Sequence, residues 1–179
     1  TYPLLSKEEI LADAKKQAAQ GILRYSIVTA GKALSDEEID IMCGTIRQIR
    51  QETTLSVCVS FGLLTESQFR RLKDAGVSRV HNNLETSERH FPNICTTHTF
   101  ADKVSAIQAA QQAGLTVCSG GIMGMGETMA DRIDMALALR GLGITSVPVN
   151  VLNPIPGTPF GEYPTLSEEE VLRILALYR

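Results

Sequence analysis

The sequence predicts an α/β fold built from repeated βα units, with about five parallel strands and six helices. Three observations predict it. Helix start signals recur along the chain, β-rich runs lie between them, and the two alternate at a spacing of roughly 20–40 residues.

The elements follow in order. Ser6-x-x-Glu9 is a capping box that opens a first helix, which Gly21 should stop. The run LRYSIVTA at 23–30 reads as the first strand. Ser35-x-x-Glu38 opens the second helix, with Cys43 expected in its core face, and LSVCVSF at 55–61 is the second strand. Thr65-x-x-Gln68 starts a helix that ends at Gly76, before the strand VSRVHNNL at 77–84. Thr99 caps the next helix, which Gly114 stops, and LTVCSGGI at 115–122 is the fourth strand. A helix beginning near Glu127 ends at Gly143, and TSVPVNVL at 145–152 follows as the fifth strand. Residues 153–164, NPIPGTPFGEYP, form a Pro/Gly-rich ordered loop before a last helix capped by Ser167. Residues 1–179 are read as one domain. Because it opens on the helix of a βα unit, it is expected to be truncated at its N-terminus, and at its C-terminus as well. A closed barrel and an open doubly wound sheet both satisfy this pattern, and both place function at the carboxyl ends of the strands.

Composition narrows the classes. Apolar residues make up 44% of the chain, enough for a real core, and 17 basic against 20 acidic residues give a net charge of −3. No clustered basic face marks a nucleic-acid binder, and no apolar run has the length of a membrane span. The four cysteines, at 43, 58, 95 and 118, form no C-x-x-C pair and no secreted disulfide framework, so a reducing cytoplasm is expected.

Polar residues gather at the strand ends. Cys58 lies near the end of the second strand, His81-Asn82-Asn83-Leu84-Glu85 at the third, Cys118-Ser119-Gly120-Gly121 at the fourth and Asn150 at the fifth. Alternation puts His81, Asn83 and Glu85 on one face and Asn82 on the other. In a barrel, Cys58, His81, Asn83, Cys118 and Asn150 would line one cavity, an interior unlike a hydrocarbon core. Each has a plainer reading: a structural histidine, strand-end turn asparagines, buried thiols, and a Glu127 that favours the helix dipole. The run CSGGIMGMGET at 118–128 reads equally as a nucleotide grip, a ligand followed by a turn, or strand-to-helix punctuation. No P-loop, G-x-S-x-G or H-E-x-x-H motif is present.

HNNLETSERHFPNICTTHTF, CSGGIMGMGET and SVPVNVLNPIPGTP, in this order, closely resemble biotin synthases, enzymes of the radical S-adenosylmethionine class. The resemblance implies a (β/α) barrel of TIM type, the radical SAM core. In it, a [4Fe–4S] cluster on a C-x-x-x-C-x-x-C loop cleaves S-adenosylmethionine to a 5′-deoxyadenosyl radical. That radical takes hydrogen from dethiobiotin, and an auxiliary iron–sulfur cluster supplies the sulfur. It implies a cytoplasmic sulfurtransferase, served by an electron donor such as flavodoxin or ferredoxin, with a homodimer allowed.

Carried over by position, Cys58 and Cys118 match auxiliary-cluster cysteines and so carry the catalytic and metal roles. Asn83 and Glu85 match contacts to the ribose and methionine parts of the cofactor. Gly120-x-Ile122-x-Gly124-x-x-Glu127 matches a family motif in which Ile122 packs on adenine, with Gly121 inside it. His81 and Asn150 match dethiobiotin contacts. Glu85 stands where an aspartate is common and His81 where many relatives have asparagine, and two further departures matter more. The C-x-x-x-C-x-x-C loop is absent, which agrees with the missing first strand and would leave these 179 residues inactive alone. Ser26 stands where a further cluster cysteine is common, and Cys95 reads either as a substitute metal ligand or as a loop cysteine without a metal. A radical enzyme of different substrate on this scaffold, or a cluster-free binding domain, are the other readings.

Overall fold

Strands and helices alternate along the computed structural model, which describes residues 4–179. Their order is α1 (Lys7–Ala19), β1 (Arg24–Val28), α2 (Asp36–Glu52), β2 (Ser56–Ser60), α3 (Glu66–Ala75), β3 (Val77–His81), α4 (Phe91–Ile94), α5 (Phe100–Gln112), β4 (Thr116–Cys118), β5 (Gly121–Met123), α6 (Met129–Gly141), β6 (Val149–Val151) and α7 (Glu168–Tyr178).

Two differences from the expected count have local causes. The run at 115–122 is interrupted at Ser119-Gly120. Its first half, β4, joins the sheet ordered β1-β2-β3-β4, and its second half, β5, pairs with β6. The extra helix, α4, is a single turn that carries Pro92 near its start, where a missing N–H costs nothing.

The chain divides into two compact units, one made of the residues up to Asn82 with Ser105–Val117, the other of Asn83–Val104 with Cys118–Arg179. The first holds a parallel sheet, with β1 beside β2 and β2 beside β3. β2 is central, so Val57, Cys58 and Val59 are all buried, as a strand covered on both faces requires. α2 contributes Ile39, Met42, Cys43, Ile46 and Ile49, an apolar stripe at helical spacing. α3 adds Phe69, Leu72 and Ala75. Reciprocal capping boxes fix the starts of α1, α2 and α3 as the sequence predicts. Gly21, Gly76 and Gly114 all take left-handed conformations where helices stop.

The second unit contains α4, the first turn of α5, β5, α6, β6 and α7. Capping boxes open α6 and α7 as well. Met123, Met125, Met135 and Leu139 are buried, whereas Met129 is exposed. No helix among the described residues is long and apolar enough to cross a membrane.

Candidate functional site

Three extended segments of the second unit lie side by side. The Glu85 N–H donates to the carbonyl of Gly120 at 3.1 Å, and the Ile122 N–H donates to the carbonyl of Glu85 at 2.9 Å. On the other side β5 pairs with β6, which sets Ile122 beside Asn150. The structure therefore brings Asn83, Glu85, Gly120, Gly121, Ile122 and Asn150 into one sheet-like array. Asn83 ties it together, since its Oδ1 accepts the Gly120 N–H at 3.0 Å.

The glycines have a local cause. A Cβ on Gly120 would stand 1.8 Å from the carbonyl oxygen of Pro148, and one on Gly121 would stand 2.4 Å from that of Glu85. Strand crowding alone demands glycine at both positions.

β3 ends at His81, so the expected alternation through Asn83 and Glu85 does not continue. Glu85 has φ +72°, the one positive value at a non-glycine among the described residues. Such a conformation is uncommon outside glycine and needs its surroundings to hold it. Here the backbone bonds to Gly120 and Ile122 hold it. Its carboxylate meets Asn83 Nδ2 at 3.5 Å and Lys103 Nζ at 4.0 Å. Glu85, Lys103, Ile122, Met125, Cys95 and His98 line a cavity of about 230 Å³. One carboxylate, one ammonium and an apolar wall suit a small ligand that carries both charges.

Below this array two buried carboxylates lock the turn after β5. Glu127, 2% exposed, accepts the N–H groups of Gly124 at 2.8 Å and Met125 at 2.7 Å, and pairs with Arg132 at 2.8 Å. It holds the backbone of its own motif rather than simply favouring the helix dipole. Asp131 accepts from Ser87 Oγ at 2.7 Å, from Arg89 at 2.8 Å, and from the hydroxyl and N–H of Thr128. The Thr128 hydroxyl, and after it the Thr128 N–H, Ser87 and Arg89, outweigh burial and hold the Asp131 carboxyl well below the usual carboxylate range. His90 Nε2 lies 3.1 Å from the Met125 carbonyl, a second tie between these loops.

Cys118 ends β4 and is half-buried. Ser119 beside it is fully buried, and its hydroxyl has no hydrogen-bond partner among the described residues. In the first unit, register aligns Ser26 with Cys58, and a bulge at Ser78 brings Arg79 opposite Cys58. His81, two residues beyond Arg79, shares its face. Cys95 lies in the loop after α4, near Thr97 and His98. No group of three or more His, Cys, Asp or Glu side chains poised to hold a metal ion is present among the described residues.

Sequence reasoning missed Lys103, Asp131, Arg132 and Arg79. Thr128-x-x-Asp131 has capping-box spacing and could have been found. Arg132 lies five residues after its partner Glu127, a spacing outside the i, i+3 and i, i+4 helix pairs, and Lys103 and Arg79 depend on long-range pairing and strand register, which leave no local pattern.

Comparison with known proteins settles the lineage. The family model of the radical SAM superfamily matches residues 1–139, most of the chain. The chain belongs to the radical SAM superfamily. A second model, of the biotin and thiamin synthesis associated domain, matches residues 148–179. Biotin synthase of Akkermansia muciniphila is 58% identical over 99% of this chain and 56% of its own length. That of Brachyspira hyodysenteriae is 55% identical over 99% of this chain and 54% of its own length. The radical SAM chain thus spans about half the length of the curated relatives it matches. Among solved structures, methylornithine synthase (PylB) superposes with a TM-score of 0.83 at 20% identity, over 99% of this chain and 55% of its own. A maturase of the [FeFe]-hydrogenase, HydG, gives 0.82 at 20% identity, over all of this chain and 43% of its own. Those likenesses establish the fold as a radical SAM (β/α) barrel type, part of which this chain forms.

Proposed function

We propose that this chain is part of a cytoplasmic biotin synthase, a sulfurtransferase that inserts sulfur into dethiobiotin. The observation that carries the reading is 58% identity across nearly the whole chain to a biotin synthase, with Asn83, Glu85, Ile122 and Asn150 gathered in one array.

The residues present suit the cofactor. The cavity bounded by Glu85, Lys103 and Ile122 offers charge for an amino-acid moiety and an apolar side chain for a base. Asn83 and Glu85 would hold the ribose and methionine parts of S-adenosylmethionine, and Ile122, set by its two crowded glycines, would pack on adenine. When bound with a [4Fe–4S] cluster, S-adenosylmethionine would supply the radical that removes hydrogen from substrate. Glu127 and Arg132 keep the Gly124–Met125 backbone fixed while the ligand exchanges. Cys58 and Cys118 are each proposed as thiolate ligands of an auxiliary iron–sulfur cluster, because soft sulfur donors select such clusters. The unpartnered Ser119 hydroxyl beside Cys118 is a donor awaiting a group. His81 and Asn150 are proposed to contact dethiobiotin, and a flavodoxin- or ferredoxin-like protein to deliver electrons to an enzyme that acts as a homodimer.

The intact protein, reconstituted without oxygen, is expected to form biotin from dethiobiotin with consumption of S-adenosylmethionine. Cofactor cleavage without biotin would overturn the substrate assignment. Cys58→Ala and Cys118→Ala are each expected to remove auxiliary iron and spare the first cluster, read by iron content and Mössbauer spectra. Unchanged iron in both variants would remove them as ligands.

A further inference from the structure

None of the four cysteines, all among the described residues, is in a disulfide, and their surroundings differ. Cys43 is buried in the α2 core, where burial pushes its thiol up. Cys58 is buried on β2, and Cys118 is half-buried at the end of β4.

Cys95 has a different setting. Its Sγ lies 3.4 Å from Nδ1 and 3.8 Å from Nε2 of His98, and 3.5 Å from the Thr97 hydroxyl. The His98 ring is not loose: it packs edge-on against Phe91 with centroids 5.6 Å apart, and its Nδ1 lies 3.0 Å from the Thr97 hydroxyl. Cys95 lines two cavities. One is the small cavity shared with Glu85 and Ile122. The other, of about 520 Å³, is lined by Cys95, Thr97, His98, Thr99, Glu88 and Asp102 among others.

We propose that Cys95, with His98 as its proton acceptor, forms a nucleophilic thiol site that attacks the S–S bond of small disulfides and persulfides entering the larger cavity. The cavity's threonine hydroxyls can hydrogen-bond a polar, peptide-like thiol compound, and the Glu88 carboxylate can take that compound's ammonium. In the step, Cys95 Sγ forms a bond to one sulfur of the reagent as the reagent's S–S bond breaks. The departing thiolate takes up the proton that His98 removed from Cys95. A disulfide leaves a mixed disulfide on Cys95 and releases a thiol. A persulfide leaves Cys95 with one added sulfur and also releases a thiol. No outside oxidant or reductant enters either balance. The site stands on its own geometry and does not depend on the substrate assigned above.

The test exposes the intact protein briefly to glutathione disulfide, and separately to glutathione persulfide, then maps adducts by mass spectrometry. Cys95 is expected to react about tenfold faster than free glutathione thiol at neutral pH, and His98→Ala to slow it by about tenfold. Cys95→Ser should carry no adduct in that peptide while its melting temperature is unchanged, and unfolding in urea should bring all four cysteines to one rate. An adduct from only one reagent identifies the sulfur source the site takes. Reaction no faster than free glutathione, or a rate unmoved by His98→Ala in a folded variant, overturns the proposal.

Discussion

Asp131 joins three separate partners at one buried carboxylate. Its side chain is 5% exposed and satisfied by Ser87, Arg89 and Thr128. Removing its charge leaves those donors short of an acceptor. Asp131→Asn is expected to lower stability by about 2 kcal/mol, read from urea denaturation at neutral pH. The pH dependence has a definite sign. A carboxyl whose folded pKa is depressed adds stability that is full above its unfolded value of about 4 and is lost as pH falls below it. The gap between wild type and Asp131→Asn should therefore narrow steadily below about pH 4. A gap constant with pH would show that the carboxylate is not the stabilising species.

At the scale of elements, glycine does two opposite things. Gly44 lies inside α2 with open space where a Cβ would go, and has helical backbone. Gly44→Ala should stabilise the protein by about 0.5–1 kcal/mol, since alanine loses less backbone freedom in a helix. Gly120 faces the Pro148 carbonyl, which cannot yield without separating β5 from β6. Gly120→Ala should cost about 3 kcal/mol or prevent folding of the second unit. Thermal unfolding of the two variants side by side distinguishes a crowded glycine from a merely tolerated one. The helices of this chain were legible because Ser6, Ser35 and Thr65 announce themselves with a partner three residues on. The break between β4 and β5 was not, because the Ser119-Gly120-Gly121 segment between two strand-forming halves fits a bend within one strand as well as a passage from one sheet to another, and only pairing decides.

For the molecule as a whole, the 179 residues contain no C-x-x-x-C-x-x-C motif. Expressed alone and reconstituted with iron and sulfide, they are expected to yield no 5′-deoxyadenosine from S-adenosylmethionine. Product above the no-protein background would refute this. The α/β class, most helix starts, and the segments holding Asn83, Glu85 and Ile122 follow from sequence, because capping, alternation and glycine content are local properties. Which strand neighbours which is not local. Only tertiary structure sets Arg79 opposite Cys58, turns Glu85 into a left-handed conformation toward Lys103, and closes His98 on Cys95. Those pairings join residues through strand register and loop packing, where a one-residue bulge such as that at Ser78 changes every partner. Local patterning carries the family resemblance and the supply of polar side chains, and packing decides which of them become neighbours.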